Sequence, residues 1–86
     1  MTEDEAAEWM LKFVAEQGFL DQSTAATELA ARGGAALADY NAEGYLCISK
    51  RVLKKFNTLA PDDIVYERGG KMWRKRQAWD VPGRQQ

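Results

Sequence analysis

Gly69-Gly70 restricts the fold of this chain more than any other feature, because the residues on either side of it can pair in only a few ways. Ile64-Val65-Tyr66-Glu67-Arg68 precedes the doublet and Lys71-Met72-Trp73-Arg74-Lys75-Arg76 follows it. Both runs favour strands, and a glycine pair between them suits a two-residue hairpin loop with positive φ angles. In that register Tyr66 faces Trp73, Glu67 faces Met72 and Val65 faces Arg74, so an aromatic pair would anchor the ribbon. A three-residue loop would slide the pairing by one and set Val65 against Trp73.

A lone hairpin is marginal in water, so it needs a partner to pack on. The first half of the chain supplies helices. Thr2 and Glu5 have capping-box spacing, and Ala6, Trp9, Met10, Phe13 and Val14 recur as one apolar stripe. Glu3, Asp4 and Glu5 suit the positive end of the helix dipole, and Gly18 is the expected left-handed stop. The pattern predicts a helix over about 3–17. Phe19-Leu20-Asp21-Gln22 is too short for a helix and could pair as a brief strand. Ser23 or Thr24 then caps a second helix, with Ala25, Ala26, Leu29 and Ala30 inward and Gly33-Gly34 at its end.

Ala35–Tyr40 reads either as another helical turn or as an irregular segment. Asn41–Gly44 reads as a turn, and Tyr45-Leu46-Cys47-Ile48 as a short strand. Ser49 is a good cap for a third helix. Val52, Leu53, Phe56 and Leu59 share one side of it, while Lys50, Arg51, Lys54 and Lys55 occupy the other. Pro61 stops that helix by biasing Ala60 away from helical angles. Residues 77–86, with Pro82-Gly83 and little apolar content beyond Trp79, read as a flexible tail. The expectation is a single α+β domain over residues 1–76, with three helices, short strands and a C-terminal β-hairpin.

Several function classes drop out. No apolar run approaches the roughly 20 residues that cross a bilayer, and the acidic N-terminus lacks a signal-peptide layout. The single cysteine, Cys47, fits a reducing compartment, so the expected location is the cytoplasm, with no membrane partner. There is no histidine, which removes a Cys/His zinc site and every Ser–His or Cys–His nucleophile pair. No phosphate-cradling glycine motif follows a strand. The chain is expected to be a non-enzyme without cofactor or metal.

What remains is charge sorted by position. Residues 1–43 carry nine acids against two bases, a net of −7, whereas residues 44–86 carry ten bases against four acids, a net of +6. Such asymmetry points to an anionic partner for the basic half. Candidate nucleic-acid contacts are Lys50, Arg51, Lys54 and Lys55 on the third helix, then Arg74, Lys75 and Arg76 on the ribbon, with Arg68 and Lys71 at its tip. The competing explanation makes the helix cations a solvated face and the ribbon cations guards of an exposed edge. The acids of the first half could pair with the basic half inside one molecule, or head to tail with that of a second copy. Trp79 is a candidate protein contact, since an exposed tryptophan favours a partner. Two functions follow: a module contacting the nucleic-acid backbone, or a protein-interaction module or homodimer with no nucleic-acid role.

The order helix, short strand, helix, helix, basic hairpin over roughly residues 3–76 resembles the winged-helix architecture. That resemblance implies a third helix in the major groove and a hairpin on phosphate. A tight helix-turn-helix joins its helices through three or four residues, whereas about fifteen separate Gly33 from Ser49 here. Ile64–Gly69, Trp73-Arg74-Lys75-Arg76, Asp80 and Pro82-Gly83-Arg84-Gln85-Gln86 resemble a family of small uncharacterised bacterial proteins. Trp9-Met10-Leu11 and the Gly44, Val52, Leu53, Phe56 segment extend the likeness over nearly the whole chain. It implies a shared fold and carries no function.

Overall fold

Local capping sets the three helices. In the computed structural model, which describes residues 1–86, Thr2 Oγ1 accepts from the Glu5 amide at 3.1 Å and Glu5 Oε1 accepts from the Thr2 amide at 2.8 Å. This box opens α1 (Glu3–Gln17), and Gly18 at φ 89° closes it where an L side chain would be strained. After β1 (Phe19–Asp21), α2 (Gln22–Gly33) is capped by Asp21 rather than by Ser23 or Thr24. The pairing of Asp21 with Met72 places its carboxylate at the helix entrance, 3.3 Å from the Thr24 amide. Ser49 caps α3 (Lys50–Leu59) as expected, and Ala60 at ψ 130° ends it ahead of Pro61.

The connection between α2 and α3 folds on its own. Gly34–Ala36 makes one 3-10 turn, then β2 (Ala38–Tyr40) and β3 (Leu46–Ile48) form a two-stranded antiparallel sheet. Ala35–Tyr40 is thus part turn and part strand. Asn41 Oδ1 holds the reversal by accepting from the Glu43 and Tyr45 amides at 3.0 and 2.9 Å.

β4 (Ile64–Glu67) and β5 (Met72–Lys75) pair in the expected register, Tyr66 with Trp73, Glu67 with Met72 and Val65 with Arg74. The loop differs from the expectation. Pairing stops at Glu67–Met72, residues 68–71 make the reversal, and the left-handed residue is Lys71 at φ 50°, not either glycine. A four-residue reversal needs only one left-handed position, at its exit. β1 joins the other edge of β5 and sets Leu20 beside Trp73, which gives the strand order β1-β5-β4.

Leu20, Trp73, Tyr66 and Ile64 share the sheet face that meets the helices. Met10 and Val14 of α1, Leu29 of α2 and Val52 and Phe56 of α3 complete the core. The Trp73 ring lies 5.5 Å from Phe56, edge-on, and 5.1 Å from Tyr66, tilted. Alanines 6, 7, 25 and 26 are fully buried, so the first two helices meet the rest of the core through small side chains. Leu59, expected inward, is 46% exposed, because the last turn of α3 borders an open concavity shared with Glu3, Asp4 and Glu8. No helix is long and apolar enough to cross a membrane.

Residues 77–86, expected as a flexible tail, pack on the sheet instead. The Tyr66 amide donates to the Arg84 carbonyl and the Gln86 amide donates to the Tyr66 carbonyl, so the segment runs parallel along the outer edge of β4. Val65 lies on the sheet face away from Tyr66 and is still only 1% exposed. A second face carrying Val65 and Arg74 needs a cover, and this segment provides one.

Candidate nucleic-acid interface

The nine candidate cations do not form one surface. On α3, Lys55 Nζ lies 2.8 Å from Asp4 Oδ1, and that bond raises the ammonium pKa. Arg51 and Lys54 border the same concavity as Glu3, Asp4 and Glu8, Lys54 from the ridge it shares with a second hollow. These cations face the acidic first turn of α1, so the acid-rich and base-rich halves meet there within one molecule.

Arg74 and Arg76 hold the C-terminal segment in place. Arg74 donates to both oxygens of Asp80 at 2.8 Å and, through Nε, to Glu67 Oε2 at 2.7 Å, with only 16% of its side chain exposed. Those bonds, first from Asp80 and then from Glu67, raise the guanidinium pKa still further. The same contact, with the Gln77 amide second, pulls the Asp80 carboxyl down to about 2. Arg76 donates to the carbonyls of Asp62, Val81 and Gly83. Lys75 is exposed on β5 and stands outside the clefts described next.

The remaining four, Lys50, Lys54, Arg68 and Lys71, stand at two hollows that flank a central cleft and share lining residues with it. The cleft, of about 380 Å³, lies between α3, the sheet and residues 84–85. Leu53, Phe56, Ile64, Tyr66 and Trp73 give it an apolar, aromatic floor, while Gln22, Asn57, Arg84 and Gln85 bring polar groups to it. Leu53 and Asn57 also line a shallow neighbour of about 410 Å³ that carries Lys50 and Lys54. Gln22 and Tyr66 also line a third hollow of about 430 Å³, where Arg68 and Lys71 stand with Tyr45, Asn41 and Ser23. The α2 entrance, α3 and the hairpin are thereby brought together.

No carboxylate lines any of the three hollows, although the chain contains thirteen. Asp21 comes near: burial chiefly, and the Asp21 charge second, raise the Tyr66 pKa. The Asp21 carboxylate is engaged by the Thr24 amide, and the Tyr66 hydroxyl donates to Gln22 Oε1. Arg84 is a cation of the site that sequence reasoning missed. Its Nη2 donates to the Ala60 carbonyl at 3.3 Å and lies 3.8 Å from the fully exposed Asp62, which leaves 45% of the side chain open. Only the return of residues 84–86 to β4 puts it there. Gln22, Asn57 and Tyr45 were also missed. Asn57 lies three and four residues beyond Lys54 and Leu53, a spacing that could have placed it on the same helix border.

Such a surface can hold phosphates on lysine and arginine, offer amide hydrogen bonds, and present the half-buried Tyr66 and exposed Tyr45 to a planar group. Residues 2–75 match the family of unknown function DUF6953, and the chain belongs to that family. No curated protein and no solved structure matches the chain.

Proposed function

We propose that this chain is a cytoplasmic, non-enzymatic module that binds the nucleic-acid backbone along the groove between α3 and the hairpin. The observation that carries this reading is the exclusion of every acid from the three hollows where Lys50, Lys54, Arg68, Lys71 and Arg84 stand. Charges from three separate segments share that surface, with Lys54 also bordering the acids of α1 and Arg84 3.8 Å from the exposed Asp62, and clustered cations together attract a polyanion. Lys55, Arg74 and Arg76 leave the phosphate-contacting set, since acids or backbone carbonyls already meet them, and Arg51 leaves it because it lines only the concavity that holds the acids of α1. The winged-helix resemblance supports the reading through element order alone. The α2–α3 connection, folded as a separate sheet, departs from a helix-turn-helix, so phosphate contact rather than groove reading is the proposed mode. Titration of labelled oligonucleotides at two salt concentrations tests the proposal. Binding that weakens steeply with salt supports it, and no binding at low salt refutes it.

A second reading rests on Trp79. The Asp80 amide donates to the Gln77 carbonyl and the Gln77 amide donates to Asp80 Oδ2, closing a turn that leaves Trp79 78% exposed beside Val81 at 60%. A tryptophan held out on a turn offers an anchor to a protein partner or a second copy. Edge pairing through β4 is a poorer route, because residues 84–86 already occupy that edge. Sedimentation over a wide concentration range tests the homodimer: mass that rises with concentration and falls back in Trp79→Ala supports it, and a strict monomer does not.

A further inference from the structure

We infer that the central cleft receives one unpaired nucleobase of a single strand, DNA or RNA, while phosphates on either side of that base lie on the Lys50/Lys54 and Arg68/Lys71 ends of the groove. The inference rests on the nucleic-acid reading and narrows it. Phosphate alone has no use for the apolar surface between the cation pairs, which the half-buried Leu53 and Tyr66 present over the buried Phe56 and Trp73. A base gains from such a surface by leaving water and by contact with the Tyr66 ring. At about 380 Å³ the cleft falls within the range of small-ligand sites, roughly 300–1,000 Å³.

Its polar groups suit a base edge. The Asn57 and Gln85 side-chain amides border the cleft, are exposed, and hydrogen-bond to nothing within the chain. Each carries adjacent donor and acceptor atoms, the pattern that matches the edge of a base. In a duplex those bases are stacked and paired, so a base enters the cleft only after extrusion, which costs free energy that a single strand does not spend.

The test uses the full chain and fluorescence anisotropy at low salt. The probes are a short labelled oligothymidine, an oligouridine, an abasic oligomer of the same length, and the oligothymidine annealed to its complement. The expected result is binding of a base-bearing single strand at least about tenfold tighter than the abasic oligomer or the duplex. Whichever sugar gives the tighter strand identifies the source. Asn57→Trp, a change at an exposed helix position that fills the mouth of the cleft, should abolish the preference for the base-bearing strand over the abasic oligomer. Equal affinity for the abasic oligomer and the base-bearing strands overturns the inference and leaves backbone binding intact. A duplex bound as tightly as the single strand overturns it too. If no probe binds, both the inference and the function it rests on fail.

Discussion

Arg74 and Asp80 meet through two parallel bonds, Nη1 to Oδ2 and Nη2 to Oδ1, each 2.8 Å long. Side-chain accessibility at Asp80 is only 3%, so this pair fastens residues 77–86 over the outer face of the sheet. Asp80→Asn keeps the size of the side chain and removes the charge, and should lower the melting temperature by several degrees at neutral pH. The pH dependence has a definite sign. A carboxyl pulled from 3.8 to about 2 contributes stability that is fully present above its ordinary value and is lost as pH falls through its folded value. Thermal melts between about pH 4 and pH 2 should therefore show a steep acid limb in the wild type and a shallower one in Asp80→Asn. Glu5, lowered by the Thr2 amide and hydroxyl, contributes equally to both proteins. Parallel acid limbs would contradict the assignment.

Lys71 combines a strained backbone with a groove charge. At φ 50° it occupies a conformation that costs an L residue about 1–2 kcal/mol more than glycine. Lys71→Gly should raise stability by up to about 1 kcal/mol, after allowance for the freer unfolded chain. It should weaken oligonucleotide binding at the same time. Opposite movement of the two quantities, read by denaturant unfolding and anisotropy, is the expected signature; a fall in both would contradict it.

Gly33 is needed for space. A Cβ there would lie 2.2 Å from Cδ1 of Leu37, a side chain only 1% exposed that cannot swing into solvent. Gly33→Ala should cost about 1–3 kcal/mol in chemical denaturation, as overpacking of a filled core does. At Gly34 an added Cβ would meet nothing within 4 Å, so Gly34→Ala should cost only what its φ of 69° imposes. Equal losses at both positions would show that backbone conformation, not contact with Leu37, decides the cost.

Features governed by neighbours in sequence were legible. The capping box and Gly18 bounded α1, Ser49 and Pro61 bounded α3, and the aromatic pair fixed the hairpin register. Features governed by distant residues were not. Leu20 finds Trp73 more than half the chain away, and no local pattern announces that pairing. The split of the α3 cations follows from the approach of the α1 N-terminus, which takes Lys55 and leaves Lys50. Arg74 and Arg76 looked like phosphate contacts because their partners, Asp80 and the carbonyls of residues 81 and 83, lie in a stretch whose composition resembles a tail. Arg84 entered the site by the same route.

The most direct measurement is the salt dependence of oligonucleotide affinity in matched double variants. Lys50→Gln/Lys54→Gln and Arg68→Gln/Lys71→Gln each remove two groove cations, Lys54 standing on the border between groove and acids, whereas Arg51→Gln/Lys55→Gln removes two that line only the concavity with the acids of α1. The account predicts that each groove pair reduces the slope of log affinity against log salt by about 1.4 for a single strand, at roughly 0.7 per released contact, and that the third pair leaves it unchanged. Equal loss from all three pairs, or a slope near zero in the wild type, would contradict it.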